Sequence, residues 1–215
     1  GFDAISIANN HANDFGIEGK LSTMNALKEA RIHYAGQKGY CDKITFTIGN
    51  TKYGFCAFGH SNNTPNINNL KETISVISSL KEQCDVIVVS FHGGGEGTKY
   101  SHVPDTTEIY LEEKRGNVKE FAHTCIDAGA DILTFHLEAC KEPSKLLSSI
   151  REEGVMAAIS IKPDTPCEEV YPYLEQCDMV LVMTVEPGYG GQALIPETLE
   201  KVRKIKAEIL NRGLT

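Results

Sequence analysis

Beyond Asp131 the sequence keeps a regular beat. Strand-like apolar runs begin near Asp131, Val155 and Asp178, 24 and 23 residues apart. Each is followed by a helical stretch, expected at residues 143–153, 166–176 and 196–211. Proline stands at or near the first turn of all three, where its missing N–H costs little. Repeated βα units with near-continuous apolar strands predict a parallel sheet covered on both faces. Three such units are present, whereas a closed (β/α)8 barrel needs eight strands.

Upstream the pattern differs. A strand is expected at 4–8, then a loop of Asn and His. A helix at 18–30 places Leu21, Met24 and Leu27 at helical spacing. A short strand is expected at 32–35, and strands at Lys43–Ile48 and 53–58 flank Gly49-Asn50-Thr51-Lys52, a hairpin signal. A hairpin breaks strict β-α alternation, so one continuous barrel is disfavoured. A helix at 70–83 carries Ile74, Ile77 and Leu80 on one face, and a buried strand at 86–90 runs into Phe91-His92. A long loop is expected at 93–115, then a helix at 117–128 closed by Gly129. The fold class is therefore α/β in two portions, residues 1–130 and 131–215, with the seam in the Asp-Ala-Gly-Ala-Asp run at 127–131.

A chain of 215 residues with 41% apolar residues can bury a substantial core. A net charge of −8 argues against nucleic acid and anionic membrane as partners. No apolar run approaches the ~20 residues of a membrane-spanning helix. The seven cysteines are odd in number and include no Cys-x-x-Cys pair. They read as free thiols in a reducing compartment, which favours the cytoplasm.

Three histidines stand at expected strand ends: His11 in Asn9-Asn10-His11, His92 before three glycines, and His136. Loops at the carboxyl ends of strands collect ligands in α/β folds. His11, His92 and His136 are thus catalytic candidates. Asn10, His92 and His136 would suit a divalent metal ion that activates water or holds a phosphoryl oxygen. Downstream, strand, Glu186-Pro187-Gly188-Tyr189-Gly190-Gly191-Gln192 and helix could cradle an anion with backbone N–H groups. No Gly-Lys-Ser/Thr follows, so this is not a nucleotide P-loop.

Two resemblances follow from these blocks. "GFDAISIANNHANDFGIEGKLSTMNALKEARIHYAG" and "DVIVVSFHGGGEG" through "AGADI" resemble the CapA family of capsule and poly-γ-glutamate biosynthesis proteins, over residues 1–132. The resemblance implies a metallophosphatase-like fold and a metal site using Asn10, His11 and His92, with Asp14 in support. It also implies a surface-associated setting. The family's aspartate-bearing first strand is absent, and its Gly-His-x-Pro-His loop is reduced to His136.

"ADILTFHLEA", "AAISIKPDTP" and "DMVLVMTVEPGYGGQ" resemble ribulose-phosphate 3-epimerase over residues 128–215. That family is a cytosolic (β/α)8 barrel inverting C3 of a ketopentose 5-phosphate through a metal-stabilised enediolate. The matched piece corresponds to the fourth through sixth βα units of an incomplete TIM barrel. Met183 would line the substrate pocket, and Gly188, Gly190 and Gly191 would border the phosphate. The family's early His-x-Asp, its third-strand His and its seventh-strand Asp-Gly-Gly, which supply metal ligands and both proton-transfer groups, have no counterpart here.

The sequence thus reads as a chimera that is inactive as an epimerase. Two alternatives stand beside that reading: a metal-dependent CapA-like hydrolase, or a non-catalytic phosphate-binding protein. A phosphorylated sugar or other small molecule is the expected partner, with self-association through unfinished sheet edges.

Overall fold

The computed structural model describes residues 3–95, 104–186 and 193–214. Two units divide the chain, Gly1–Asp131 and Ile132–Thr215.

In the first unit, β1 (Ala4–Ser6) and β2 (His33–Ala35) pair in parallel and are joined by α1 (Gly16–Glu29). β3 (Lys43–Ile48) and β4 (Thr51–Gly59) form the hairpin. Ile48 pairs with Thr51, so Gly49-Asn50 is the two-residue turn, and Gly49 supplies the positive φ of +60° that such turns need. α2 (Leu70–Lys81) then crosses over to β5 (Val86–His92), which lies parallel to β4. Asn69 starts α2, because its side chain accepts from the Glu72 N–H while its amide donates to the Glu72 carboxylate. α3 (Val118–Asp127) begins likewise on Asn117, whose side chain accepts from the Glu120 N–H.

The centre of this unit follows from β4. Phe55, Cys56, Ala57 and Phe58 are a continuous apolar run and all are buried. Cys56 and Phe58 pack with Ile77 and Leu80 of α2 and with Phe121 and Cys125 of α3. The Phe58 and Phe121 rings meet edge to face, 5.4 Å between centroids.

The second unit holds three parallel strands in the order β10-β9-β8: β8 (Ile132–His136), β9 (Met156–Ile161) and β10 (Met179–Val182). α4 (Pro143–Glu152) follows β8, and α5 (Thr198–Asn211) follows β10. Central β9 is buried from Ala157 to Ile161, as a strand covered on both faces requires. The fold is thus mixed α/β with several parallel sheets, and among the described residues no sheet closes into a barrel.

Three local expectations are corrected. The segment expected to be an α-helix at 166–176 is a 3₁₀ helix over Cys167–Tyr173, because Pro172 cannot donate an α-helical hydrogen bond. The first strand ends at Ser6 rather than residue 8. The expected loop at 93–115 contains a hairpin of β6 (Glu108–Tyr110) and β7 (Glu113–Gly116). Its turn uses Leu111 and Glu112 at φ +49° and +66°. These residues rarely adopt that conformation, so the usual Asn-Gly turn signal is missing.

Candidate functional site

Each unit gathers polar side chains at the carboxyl ends of its parallel strands. In the first, the turn after β1 carries Asn9, Asn10 and His11. The Asn9 side chain accepts from the His11 N–H at 2.9 Å, which fixes the turn. The His11 ring lies between two polar groups, with Nδ1 2.9 Å from Asp14 Oδ2 and Nε2 3.3 Å from the Asn10 amide. Its side chain is 73% exposed.

His92 ends β5, and the residue after β4 is His60. Because Gly59 pairs with His92, the two imidazoles come together, 5.6 Å between centroids. His60 is sealed, with its side chain 2% exposed, and Nε2 lies 3.3 Å from Glu113 Oε2. The same carboxylate oxygen lies 3.2 Å from Nε of Arg115, whose side chain is 3% exposed. Glu113 and Arg115 sit two apart on β7 and so point to one side of it. The Arg115 guanidinium also covers the Tyr110 ring, 5.1 Å from its centroid. Burial pushes the His60 imidazole below its ordinary value, and neighbouring Arg115 pushes the same way. Contacts with the His92 backbone and Glu113 only partly oppose them. His60 is therefore neutral near pH 7.

His60, Glu113 and Arg115 were not among the candidates read from the sequence. His60 carried a usable signal, since it directly follows an apolar strand. Glu113 and Arg115 carried none, because the hairpin that presents them has an unusual turn.

Of the expected metal ligands, Asn10 and His92 belong to the first unit and His136 to the second. Among the described residues no group of three or more His, Cys, Asp or Glu gathers to hold a metal ion. In the imidazole pair of the first unit, His60 lies against Glu113, which Arg115 already neutralises. A second cation there would meet a guanidinium, so this donor set does not fit a divalent ion.

In the second unit His136 ends β8, and Glu138 follows on a 3₁₀ turn over Leu137–Ala139. Glu138 Oε1 accepts the Lys162 N–H at 2.9 Å and a short hydrogen bond from the Thr165 hydroxyl. Its Oε2 lies 3.4 Å from His136 Nδ1. Burial alone would raise the Glu138 carboxyl. The Lys162 and Thr165 hydrogen bonds, aided by His136, outweigh it and hold the group below the usual carboxylate value. From the other side, Lys201 of α5 donates to the carbonyls of Lys162, Pro163 and Thr165. The loop after β9 is thus held by an anion and a cation together.

Met183 is half-buried, and its N–H donates to Ile161 at 2.9 Å, continuing the β9–β10 pairing. Gly188, Gly190 and Gly191 lie outside the described residues. The flanks of that segment meet where the Ile195 N–H donates to the Thr184 carbonyl at 2.9 Å.

Comparison with known proteins accounts for both halves. The model of the bacterial capsule synthesis protein PGA_cap matches residues 1–136, and that of the ribulose-phosphate 3 epimerase family matches residues 110–215. Similar curated proteins include the ribulose-phosphate 3-epimerase of Candida glabrata, 44% identical over 100 residues, covering 46% of this chain and 39% of that protein. The Schizosaccharomyces pombe enzyme is 46% identical over 80 residues, covering 37% and 35%. The Mycobacterium bovis enzyme is 46% identical over 90 residues, covering 42% and 39%. The chain therefore spans 35–39% of the length of these relatives. No helix among the described residues is long and apolar enough to cross a membrane. The chain belongs to the bacterial capsule synthesis protein family through residues 1–136, and its residues 110–215 are similar to the ribulose-phosphate 3 epimerase family.

Proposed function

We propose that this hybrid does not epimerise ribulose phosphate, and that its second unit keeps the scaffold of a phosphosugar-binding end whose strand-end carboxylate is committed to holding a loop. The observation that carries this reading is the state of Glu138. Inversion at C3 needs one group to take a proton and another, on the opposite face, to return it. Such groups work best with a pKa near the operating pH. Glu138 is instead held low and committed to the Lys162 N–H and the Thr165 hydroxyl. The capsule-synthesis match of residues 1–136 supports the reading, because the epimerase match begins only at residue 110. A phosphate cradle at Gly188, Gly190 and Gly191 and a pocket wall at Met183 complete the proposal.

The test is incubation of the protein with ribulose 5-phosphate in heavy water, followed by NMR at C3. No deuterium should enter C3 beyond the rate without protein. Incorporation dependent on the protein would overturn the proposal.

A further inference from the structure

In the second unit one carboxylate braces two strand ends. Glu138 Oε2 lies 3.4 Å from His136 Nδ1, and Oε1 accepts the Lys162 N–H at 2.9 Å. A carboxylate only accepts, so it selects the neutral ring tautomer with the proton on Nδ1. Nε2 is then left as an acceptor, on a side chain that is 34% exposed. Lys162 is pinned through its backbone from both sides, because its carbonyl accepts from Lys201. Its side chain holds nothing in the protein. Among the described residues the half-buried Lys162 ammonium has no hydrogen-bond or ion-pair partner.

Register puts these two groups on one face. His136 pairs with Ser160, and Lys162 follows Ser160 by two residues. The Met183 N–H donates to the Ile161 carbonyl, so the β9–β10 pairing continues that far. Residues two apart share a face of a strand. His136 and Lys162 therefore stand on one face at the carboxyl ends of adjacent parallel strands, with backbones about 8 Å apart. Parallel sheets take their ligands at this end. An acceptor and a cation at that spacing match a small molecule with a hydroxyl at one end and an anion at the other.

We infer that His136 and Lys162 bind a phosphorylated sugar, with Lys162 taking the charge of the phosphoryl group and His136 Nε2 accepting from a sugar hydroxyl. Glu138 is the positioning residue for both. The inference rests on the reading of the second unit as a phosphosugar-binding end, and it names the side chains that do the binding.

The test is an NMR titration of the full chain that follows the His136 ring and the Lys162 amide. Ribulose 5-phosphate is the probe, with ribulose and inorganic phosphate as its two halves. Ribulose 5-phosphate should shift both signals saturably, and each half should bind about tenfold or more weakly. Lys162→Met should weaken ribulose 5-phosphate and inorganic phosphate about ten- to a hundredfold and leave ribulose unchanged, whereas Lys162→Arg should stay within about threefold. His136→Phe should weaken ribulose and leave inorganic phosphate unchanged. If a variant fails to fold, the comparison of the three probes on the wild-type chain carries the test. Wild-type binding that Lys162→Met leaves intact would overturn the inference while sparing the reading of the second unit. So would ribulose binding as tightly as its phosphate. No saturable shift with ribulose 5-phosphate would overturn both.

Discussion

Replacing Glu138 should loosen the loop after β9 without unfolding its sheet. In Glu138→Ala the Lys162 N–H and the Thr165 hydroxyl lose their acceptor. Hydrogen bonds to a charged group contribute about 1.5–3 kcal/mol each. The Glu138 side chain is 22% exposed, so water would replace part of that loss. A net cost of ~2 kcal/mol is expected. Glu138→Gln keeps an acceptor and the shape, and should cost ~1 kcal/mol. Hydrogen exchange at the Lys162 amide reads this directly, since ~2 kcal/mol corresponds to about thirtyfold faster exchange. Amides in the middle of β9 should change much less, because Lys201 still holds the loop from α5. The pH dependence has a definite sign. A carboxyl held below its unfolded value stabilises the fold fully above that value, near pH 4.5, and the contribution is lost as pH falls through the lower folded value. The acid leg of the wild-type stability curve should therefore flatten in Glu138→Ala. Unchanged Lys162 exchange in the alanine variant would refute the reasoning, and so would equal effects of Gln and Ala.

Asn117→Ala removes the acceptor for the Glu120 N–H and should cost ~1 kcal/mol in urea unfolding; no loss would show that α3 does not depend on its cap. Burial pushes the Cys56 and Cys125 thiols up to about 12, so neither should react with iodoacetamide at pH 8 until the protein unfolds, and mass spectrometry of labelled native protein checks this. Asp85→Ala should cost ~1 kcal/mol and Asp178→Ala ~2 kcal/mol, because Asp178 also holds Arg151; the reverse order in urea unfolding would contradict the geometry. The Arg151 guanidinium holds the Asp178 carboxyl below its usual range, so its contribution is complete above about pH 4 and fades in stronger acid.

What could be read from the sequence was what backbone periodicity writes into it. β3 and β4 with their Gly-Asn turn, the helices started by Asn69 and Asn117, and the three parallel strands of the second unit all follow from local pattern. The 166–176 segment misled because the βα rhythm and Pro166 at its first turn predict a helix without saying which kind, while Pro172 removes a donor from an α-helical ladder. The β6–β7 hairpin escaped because a turn of Leu111 and Glu112 carries no Gly or Asn signal. With it went Glu113 and Arg115, the charged partners of His60.

The join itself has a physical logic visible in a short repeated phrase. Gln83-Cys84-Asp85 precedes β5 in the capsule-synthesis match, and Gln176-Cys177-Asp178 precedes β10 in the epimerase match. Both aspartates do the same thing. The Asp85 N–H donates to the Lys52 carbonyl at 2.8 Å, and its Oδ2 accepts the Lys52 N–H at 2.7 Å. The Asp178 N–H donates to the Ala157 carbonyl at 2.7 Å, and its Oδ2 accepts the Ala157 N–H at 2.8 Å. Where a parallel strand begins, its neighbour offers a backbone N–H that the ladder does not yet pair, and a carboxylate at that point supplies the acceptor. Asp131, just before β8, accepts the Ile87 N–H at 3.3 Å and binds Lys81 at 2.7 Å. Ahead of it, Gly129 at φ +110° closes α3, with the Ala130 N–H donating back to the Cys125 carbonyl. Helix stop, glycine and strand-opening aspartate are what any βα repeat needs at this point, whichever family it comes from. Both family models extend across residues 127–131, overlapping over residues 110–136, where these shared local features stand.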